Sequence, residues 1–394
     1  MCCRCHVFTP GSRCSACRRW SRWAQDGGVK TIAVRASSDG GVSWTAPAAD
    51  LVSNSTDTNL GGVVWDSKAL ALFASYSTAG PCFACDWRKW GTNCSRGCRN
   101  VWMRKSTDKG ASWGVPQNVS GAIFDSAVAG TPAAIGEFVN AGPTKGLQLA
   151  DGTLVMVIVD LSAPKPGFPG GGILSIRSSD HGASWHGGQP MFVPGWSETS
   201  IALLHNGSLL ANGRCGSANP ACPRNGAIAS RLFALSSDGG VTWGRQWSDG
   251  SPGSLPRVGI PGAVCDGDTI ALPPSAAGTA INTLLFSHPA GLRHMDDRPF
   301  NGTFVGSCFD YPRQVPGPKC KALKACPFAG DAPCRSNLTI LASTDSGLTW
   351  QAWAQDFWAV CLTGLLLPCR PFPRTNLRCP LGTGICERSL GSTG

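Results

Sequence analysis

An eight-residue pattern, Ser-x-Asp-x-Gly-x-[Ser/Thr]-Trp, occurs five times in this chain and constrains its fold more than any other feature. The copies run Ser37–Trp44, Ser106–Trp113, Ser178–Trp185, Ser236–Trp243 and Ser343–Trp350. Each follows a short apolar, β-prone run: Thr31–Val34, Val101–Met103, Ile173–Ile176, Leu232–Leu235 and Leu338–Leu341. That placement predicts a hairpin turn. The Asp carboxylate accepts hydrogen bonds from backbone N–H groups and from the Ser hydroxyl inside the loop. Gly supplies a positive φ, and Trp folds its ring under the turn as an apolar plug. The five aspartates are therefore read as structural, although by composition they look catalytic.

The Asp-to-Asp intervals are 69, 72, 58 and 107. The last is nearly twice the one before it, which implies a missing or degenerate copy and six units of about 50–60 residues, each enough for a four-stranded blade. The cysteine-rich stretch Cys82–Cys98 lengthens an early interval. Further hairpins are predicted where Ile201–Leu204 turns at Asn206-Gly207 and where Leu147–Leu149 turns at Asp151-Gly152. No amphipathic helix stands out. The composition agrees: Gly 50 and Pro 29 in 394 residues suit a turn-rich chain, and the lack of a Gly-X-Y period excludes collagen. At 15% charged residues, a coiled coil and charge-driven disorder are excluded as well. The expected fold is all-β, a six-bladed β-propeller over residues 26–355. An irregular cysteine-rich segment, 1–25, precedes it and an irregular tail, 356–394, follows. Cysteine-rich insertions are expected near 80–100 and 291–334.

The 34 basic and 24 acidic residues leave a net charge of +10, but the basic residues are scattered and form no run of five, so nucleic acid is not an expected partner. Twenty cysteines include the Cys14/Cys17 and Cys82/Cys85 pairs, whose spacing suits zinc or a disulfide framework. Six N-x-[Ser/Thr] sequons, at Asn54, Asn93, Asn118, Asn206, Asn301 and Asn337, favour disulfides and a secretory, lysosomal or extracellular setting. Met1–His6 opens no apolar stretch of signal-peptide length, which keeps a cytoplasmic setting as the alternative. The longest near-continuous apolar run, Phe357–Leu367, is shorter than the ~20 residues of a membrane span, so no transmembrane segment is expected. The six histidines form no His-Glu-x-x-His motif, Gly170–Gly172 leads into no phosphate-loop Lys, and no Gly-x-Ser-x-Gly is present. Neither a metal nor a cofactor is expected.

The octapeptide is the Asp-box, and from about Asp26 to Trp350 the chain resembles the exo-α-sialidase (neuraminidase) family. Gly142–Leu149 is similar to that family's Gly-Pro-x-x-Gly-Ile-x-Leu segment, and Asn59–Asp66 to its Asn-Pro-x-x-Val-x-Asp segment. The resemblance implies a six-bladed propeller that cleaves terminal sialic acid from glycoconjugates. It also implies a Tyr nucleophile in place of the usual second carboxylate. The physical reason is that a carboxylate on the anomeric carbon repels an anionic nucleophile, whereas a neutral Tyr activated by Glu is not repelled. Arginines hold the sugar carboxylate because their fork matches it.

Carried over residue by residue, the resemblance makes Glu198, in Trp196-Ser197-Glu198-Thr199, the group that activates the Tyr. Arg214 of Asn212-Gly213-Arg214, sixteen residues on, is a carboxylate-binding arginine, with Gly213 where the family usually has Ala. Arg335, in Arg335-Ser336-Asn337-Leu338-Thr339-Ile340, is a second carboxylate-binding arginine. Asp26, eleven residues before the first box, is the acid/base. The chain departs from the family at both ends: residues 1–25 contain no Arg-Ile-Pro, and residues 351–394 contain no Tyr. Only Tyr76 and Tyr311 are present, neither at the family's position. The alternative expectation is therefore a catalytically impaired propeller that binds sialylated or other anionic glycans.

Overall fold

The computed structural model describes residues 3–9, 12–20, 29–39, 43–45, 50–56, 58–79, 99–125, 139–142, 145–162, 170–193, 196–215, 231–248, 267–272, 283–289, 309–310, 315–316, 338–354, 377–378 and 387–388. These residues are almost entirely strand, with a single short helix, α1 (Ser120–Asp125), among them. Five antiparallel sheets follow one another along the chain. The first holds β1 (Cys3–Thr9), β2 (Ser12–Trp20), β3 (Val29–Ser37) and β4 (Asp50–Thr56). The second holds β5 (Asn59–Asp66), β6 (Ala71–Ala79), β7 (Arg99–Ser106) and β8 (Gln117–Asn118). In the third, β10 (Leu147–Gln148), β11 (Leu154–Asp160), β12 (Gly172–Ser178) and β13 (His186–Gly187) form the meander. There β9 (Val139–Ala141) extends along β11, and β14 (Met191–Phe192) along β12. The fourth holds β15 (Trp196–Leu203), β16 (Leu209–Cys215), β17 (Arg231–Ser236) and β18 (Gly244–Ser248). In the fifth, β19 (Asp268–Ala271) and β20 (Leu284–Pro289) pair in order with β23 (Leu338–Ser343) and β24 (Gln351–Ala354). Two-residue ladders join β21 (Phe309–Asp310) to β22 (Val315–Pro316) and β25 (Leu377–Arg378) to β26 (Glu387–Arg388).

The topology changes two expectations. The long last interval does not mark a skipped unit: β19, β20, β23 and β24 are one sheet, and residues 290–337 are inserted between its second and third strands. Spacing between boxes counts inserted residues as readily as whole sheets, and for that reason it misled. The first twenty-five residues, expected to be irregular, contain β1 and β2, which pair onto β3 and complete a four-stranded sheet. A lone β3–β4 hairpin would leave an open edge, and an open edge recruits further strands.

Every Asp-box joins the third strand of its sheet to the fourth, and its Ser is the last residue of the third strand. In the second box, Asp108 Oδ1 accepts from Ser106 Oγ at 2.7 Å and from Ser112 N at 2.8 Å. Its Oδ2 accepts from Ser112 Oγ at 2.5 Å, while Ser106 Oγ accepts from Gly110 N at 2.8 Å. Asp180, Asp238 and Asp345 repeat this set, and in the first box Asp39 accepts from Ser37 Oγ at 2.7 Å and from Ser43 N at 2.9 Å. Hydrogen bonds from Ser112 and Ser106 hold the Asp108 carboxyl down at about 2. The residue before the box Gly is also left-handed: Lys109, His181, Gly239 and Ser346 have φ between 59° and 68°.

The tryptophans of the second to fifth boxes do more than plug their own turns, because each packs into the interface with the preceding sheet. Trp113 joins the core between the first and second sheets, with Ile32, Leu72 and Tyr76. Trp185 joins the core between the second and third, meeting Phe73 edge-on at 5.9 Å between ring centres. Trp243 lies between the third and fourth and donates its indole N–H to Ser175 Oγ at 3.1 Å. Trp350 lies between the fourth and fifth against Phe233 and Phe286. Gly182 of the third box combines both uses of glycine. Its φ is +80°, and a Cβ there would stand 2.2 Å from Phe73 of the second sheet.

A polar clamp reinforces the contact between the second and third sheets. Asp66, fully buried at the end of β5, accepts from Lys68 N and Ala69 N, each at 3.0 Å, and from Gln148 Nε2 at 2.8 Å. His181 Nδ1 of the third box lies 2.7 Å from its other oxygen. His181 is thus exposed on one side yet tied to the neighbouring sheet. Burial pushes the Asp66 carboxyl up, but hydrogen bonds from Ala69, His181, Gln148 and Lys68 outweigh it and hold it below 3.8. A depressed carboxylate contributes stability above its unfolded pKa and loses it as pH falls through the folded one. Asp66→Ala should therefore cost roughly 1–3 kcal/mol at pH 7, since it removes an acceptor shared by several part-buried donors. Chemical denaturation followed from pH 7 to pH 3 should show the gap to the wild type narrowing below about pH 4.

Candidate active site

Glu198 sits where the pairing of β15 with β16 slips. Ser197 is opposite Arg214 and Thr199 is opposite Gly213, so Glu198 is the extra residue of a β-bulge. Bulges bend a strand and re-aim a side chain, and they recur next to active sites. Arg214, near the C-terminal end of β16, donates from Nη1 to Glu198 Oε2 at 2.8 Å, with 18% of the Arg214 and 30% of the Glu198 side chain exposed. The two residues singled out in the sequence as partners in one site therefore touch. A charged pair that retains this much water access can exchange one partner for a ligand, which a sealed pair cannot.

The site lies at the end of the fourth sheet away from its Asp-box. Arg214 pairs with Arg231 at the start of β17, whereas Ser236, the first box residue, pairs with Leu209 at the other end. Like charges directly opposite each other destabilise a sheet unless each is engaged elsewhere. Here Arg214 takes the Glu198 carboxylate, and Arg231 turns to Asn212. Arg231 Nε donates to Asn212 Oδ1 at 2.8 Å and Nη2 to Asn212 O at 3.1 Å, and its guanidinium stands 4.9 Å from the Phe286 ring centre. Asn212 Nδ2 and Ser200 Oγ both donate to Thr269 Oγ1 at 3.0 Å, which ties the fourth sheet to the fifth behind Arg214. Arg231 and Asn212 are the residues that sequence reasoning missed as site-builders. An arginine before an apolar strand reads as a solvated edge residue, and only the register puts it beside Arg214.

Gly213 has a specific cause. A Cβ at this position would lie 1.9 Å from Trp196 Nε1, so the buried indole occupies the space that the family's usual Ala would need. Lys145, in the Gly142–Leu149 segment, reaches from the third sheet to Asp268 Oδ1 of the fifth at 2.6 Å and also donates to Thr269 O. Asp66, from the other resembling segment, belongs to the clamp described above.

Two expected site residues, Asp26 and Arg335, lie outside the described residues, as do the side chains of the cysteine clusters. Of the tyrosines, Tyr311 lies outside them too. Tyr76 is buried in the core between the first and second sheets, where burial raises its hydroxyl pKa against a smaller opposing effect of Arg104. Among the described residues, no group of three or more His, Cys, Asp or Glu side chains could hold a metal ion. No helix there is long and apolar enough to cross a membrane.

Antiparallel sheets that each carry an Asp-box before the last strand of their meander, with a Glu–Arg pair at the end opposite one box, make an all-β protein that agrees with the resemblance to sialidases. The family profile described as BNR repeat-like domain matches residues 63–355, and the chain belongs to this family. A curated sialidase from Bacteroides fragilis (strain YCH46) is 27% identical over 187 residues, which is 48% of this chain and 29% of that protein. Among solved structures, the Hadza microbial sialidase Hz136 aligns with a TM-score of 0.56 at 22% identity, over 86% of this chain and 55% of that one. The Trypanosoma rangeli sialidase aligns with a TM-score of 0.57 at 17% identity, over 89% of this chain and 47% of that one. The intramolecular trans-sialidase of Ruminococcus gnavus aligns at 0.52 and 14% identity, over 74% and 78%. The chain thus spans under a third of the curated relative it matches and about half of the first of these structures.

Gly213→Ala should force the Trp196 ring or the β16 backbone to move and cost about 1–3 kcal/mol. Its denaturation midpoint should fall accordingly, and a crystal structure of the variant should show the Glu198–Arg214 contact lengthened.

Proposed function

We propose that this protein is a retaining exo-α-sialidase that hydrolyses terminal α-linked sialic acid from glycoproteins, glycolipids or oligosaccharides. The reading is carried by one observation: Glu198, set out by a bulge, in contact with Arg214 inside a BNR-family sheet. In it, Arg214 and Arg335 hold the substrate carboxylate, and Glu198 takes the proton of an attacking tyrosine. The tyrosine oxygen bonds to the anomeric carbon as the glycosidic C–O bond breaks, and Asp26 protonates the leaving oxygen. Water then releases the sugar. Carboxylate binding would draw one Arg214 hydrogen bond toward the substrate and free Glu198 to act as a base.

The fold proposed with it is a six-bladed propeller. Lys145 supports this, because its side chain links the third sheet to the fifth, as sheets arranged around a common axis would allow. The far face of the fifth sheet, with Leu285, Ile340 and Ala342 buried, is the kind that a further sheet covers. The sequons and paired cysteines suit the secretory pathway, and we place the protein there.

A second reading, a propeller that binds sialylated or anionic glycans without cleaving them, is favoured by the burial of Tyr76 in the core. One experiment separates the two. With a fluorogenic sialoside, the first reading expects aglycone release that falls about a hundred- to ten-thousand-fold in Glu198→Ala. Binding of the sialoside without release selects the second reading, and absence of both overturns the two together.

A further inference from the structure

Glu198 is held by an extra residue in a strand, and an extra residue is mobile unless something fixes the backbone on both sides of it. Thr199, fully buried, does so. Its hydroxyl donates to the carbonyl oxygen of Ser197 at 2.8 Å and accepts the Trp196 indole N–H at 2.8 Å. The residue before Glu198 and the residue after it are thereby joined, with Glu198 spanned between them. Ser197 Oγ adds a bond to the Arg214 carbonyl at 3.3 Å, tying the same turn of strand to the residue whose guanidinium Glu198 meets.

The indole makes the arrangement possible. Only 1% of Trp196 is exposed, and its ring lies over Gly213, the residue opposite Thr199 and next to Arg214. One rigid ring thus sets the bulge on one strand and borders the arginine on the other. The indole's bond to Thr199 and the Thr199 bond to Ser197 O are both buried, so no water replaces them if they are cut, and their loss falls on the geometry of the bulge.

We propose that Trp196 and Thr199 are positioning residues that lock the Glu198 bulge through the chain Trp196 Nε1–H to Thr199 Oγ1 and Thr199 O–H to Ser197 O, and so fix Glu198 against Arg214. The role in sialoside recognition rests on the function proposed above; the lock itself does not. Neither residue touches the Glu198 carboxylate through these bonds. Each acts on it through the backbone.

The test uses the full chain with Thr199→Val, which removes the hydroxyl at nearly constant shape, Thr199→Ser, which restores it, and Trp196→Phe, which keeps a ring and removes the N–H. The first readout is the ¹⁵N spectrum of the Arg214 guanidinium, assigned by its loss in Arg214→Lys. The second is binding of free N-acetylneuraminate by titration calorimetry. The wild type and Thr199→Ser should show resolved, slowly exchanging Arg214 signals, while Thr199→Val and Trp196→Phe should show them averaged. Affinity should fall about tenfold in those two variants and return in Thr199→Ser. An Arg214 spectrum unchanged in folded Thr199→Val or Trp196→Phe overturns the lock. If Thr199→Val does not fold, Trp196→Phe and Thr199→Ser decide. If the wild type binds no N-acetylneuraminate while its Arg214 signals still depend on Thr199, the lock stands and the sialoside reading falls.

Discussion

The docking of the Asp-boxes, from the second onward, onto the preceding sheet is the contact on which the rest of the molecule depends. An antiparallel meander buries its faces only by stacking, and neighbouring sheets need a device that sets how they stack. The box is that device. Its aspartate ties the loop into one shape, its left-handed pair of residues turns the chain tightly, and its tryptophan is delivered into the neighbouring interface. The polar half of the motif is satisfied internally and the apolar half is used between sheets. One octapeptide can therefore be reused at successive interfaces whatever the rest of each sheet contains.

This division of labour leaves the opposite ends of the strands free for chemistry. At that end of the fourth sheet the residues are polar and charged yet well packed: Glu198 on a bulge, Arg214 against it, Arg231 turned away to Asn212 and Phe286. Two arginines side by side in register are costly for a plain sheet. Their separate engagement shows how the fold tolerates two arginines side by side.

The hairpin turns, the strands before each box and the likeness to sialidases were legible in the sequence because they rest on local patterns. Gly207 and Gly152 turn the chain with positive φ where Asn206-Gly207 and Asp151-Gly152 were read as hairpins. The pairing of Glu198 with Arg214 was legible only through resemblance, since sixteen residues of separation do not reveal a bulge. The place of the missing unit was misjudged for a definite reason: the 107-residue interval holds an insertion inside one sheet, and linear spacing cannot tell an insertion from a repeat. The turn position of His181 exposes its ring, but its partner, Asp66, lies on another sheet, which no local pattern reveals.

By itself the sequence determined the elements and their turns, because a hairpin is decided by neighbours along the chain: a carboxylate, a glycine and a tryptophan at set offsets. Only the tertiary structure decided what those elements meet. It assigned Trp113, Trp185, Trp243 and Trp350 to the sheet before their own, paired Asp66 with His181, and set Arg231 opposite Arg214. It also showed that position 213 is glycine because an indole occupies the space of a Cβ. Those outcomes depend on register and on contacts between residues far apart in sequence, and neither is specified until the strands have paired and the sheets have stacked.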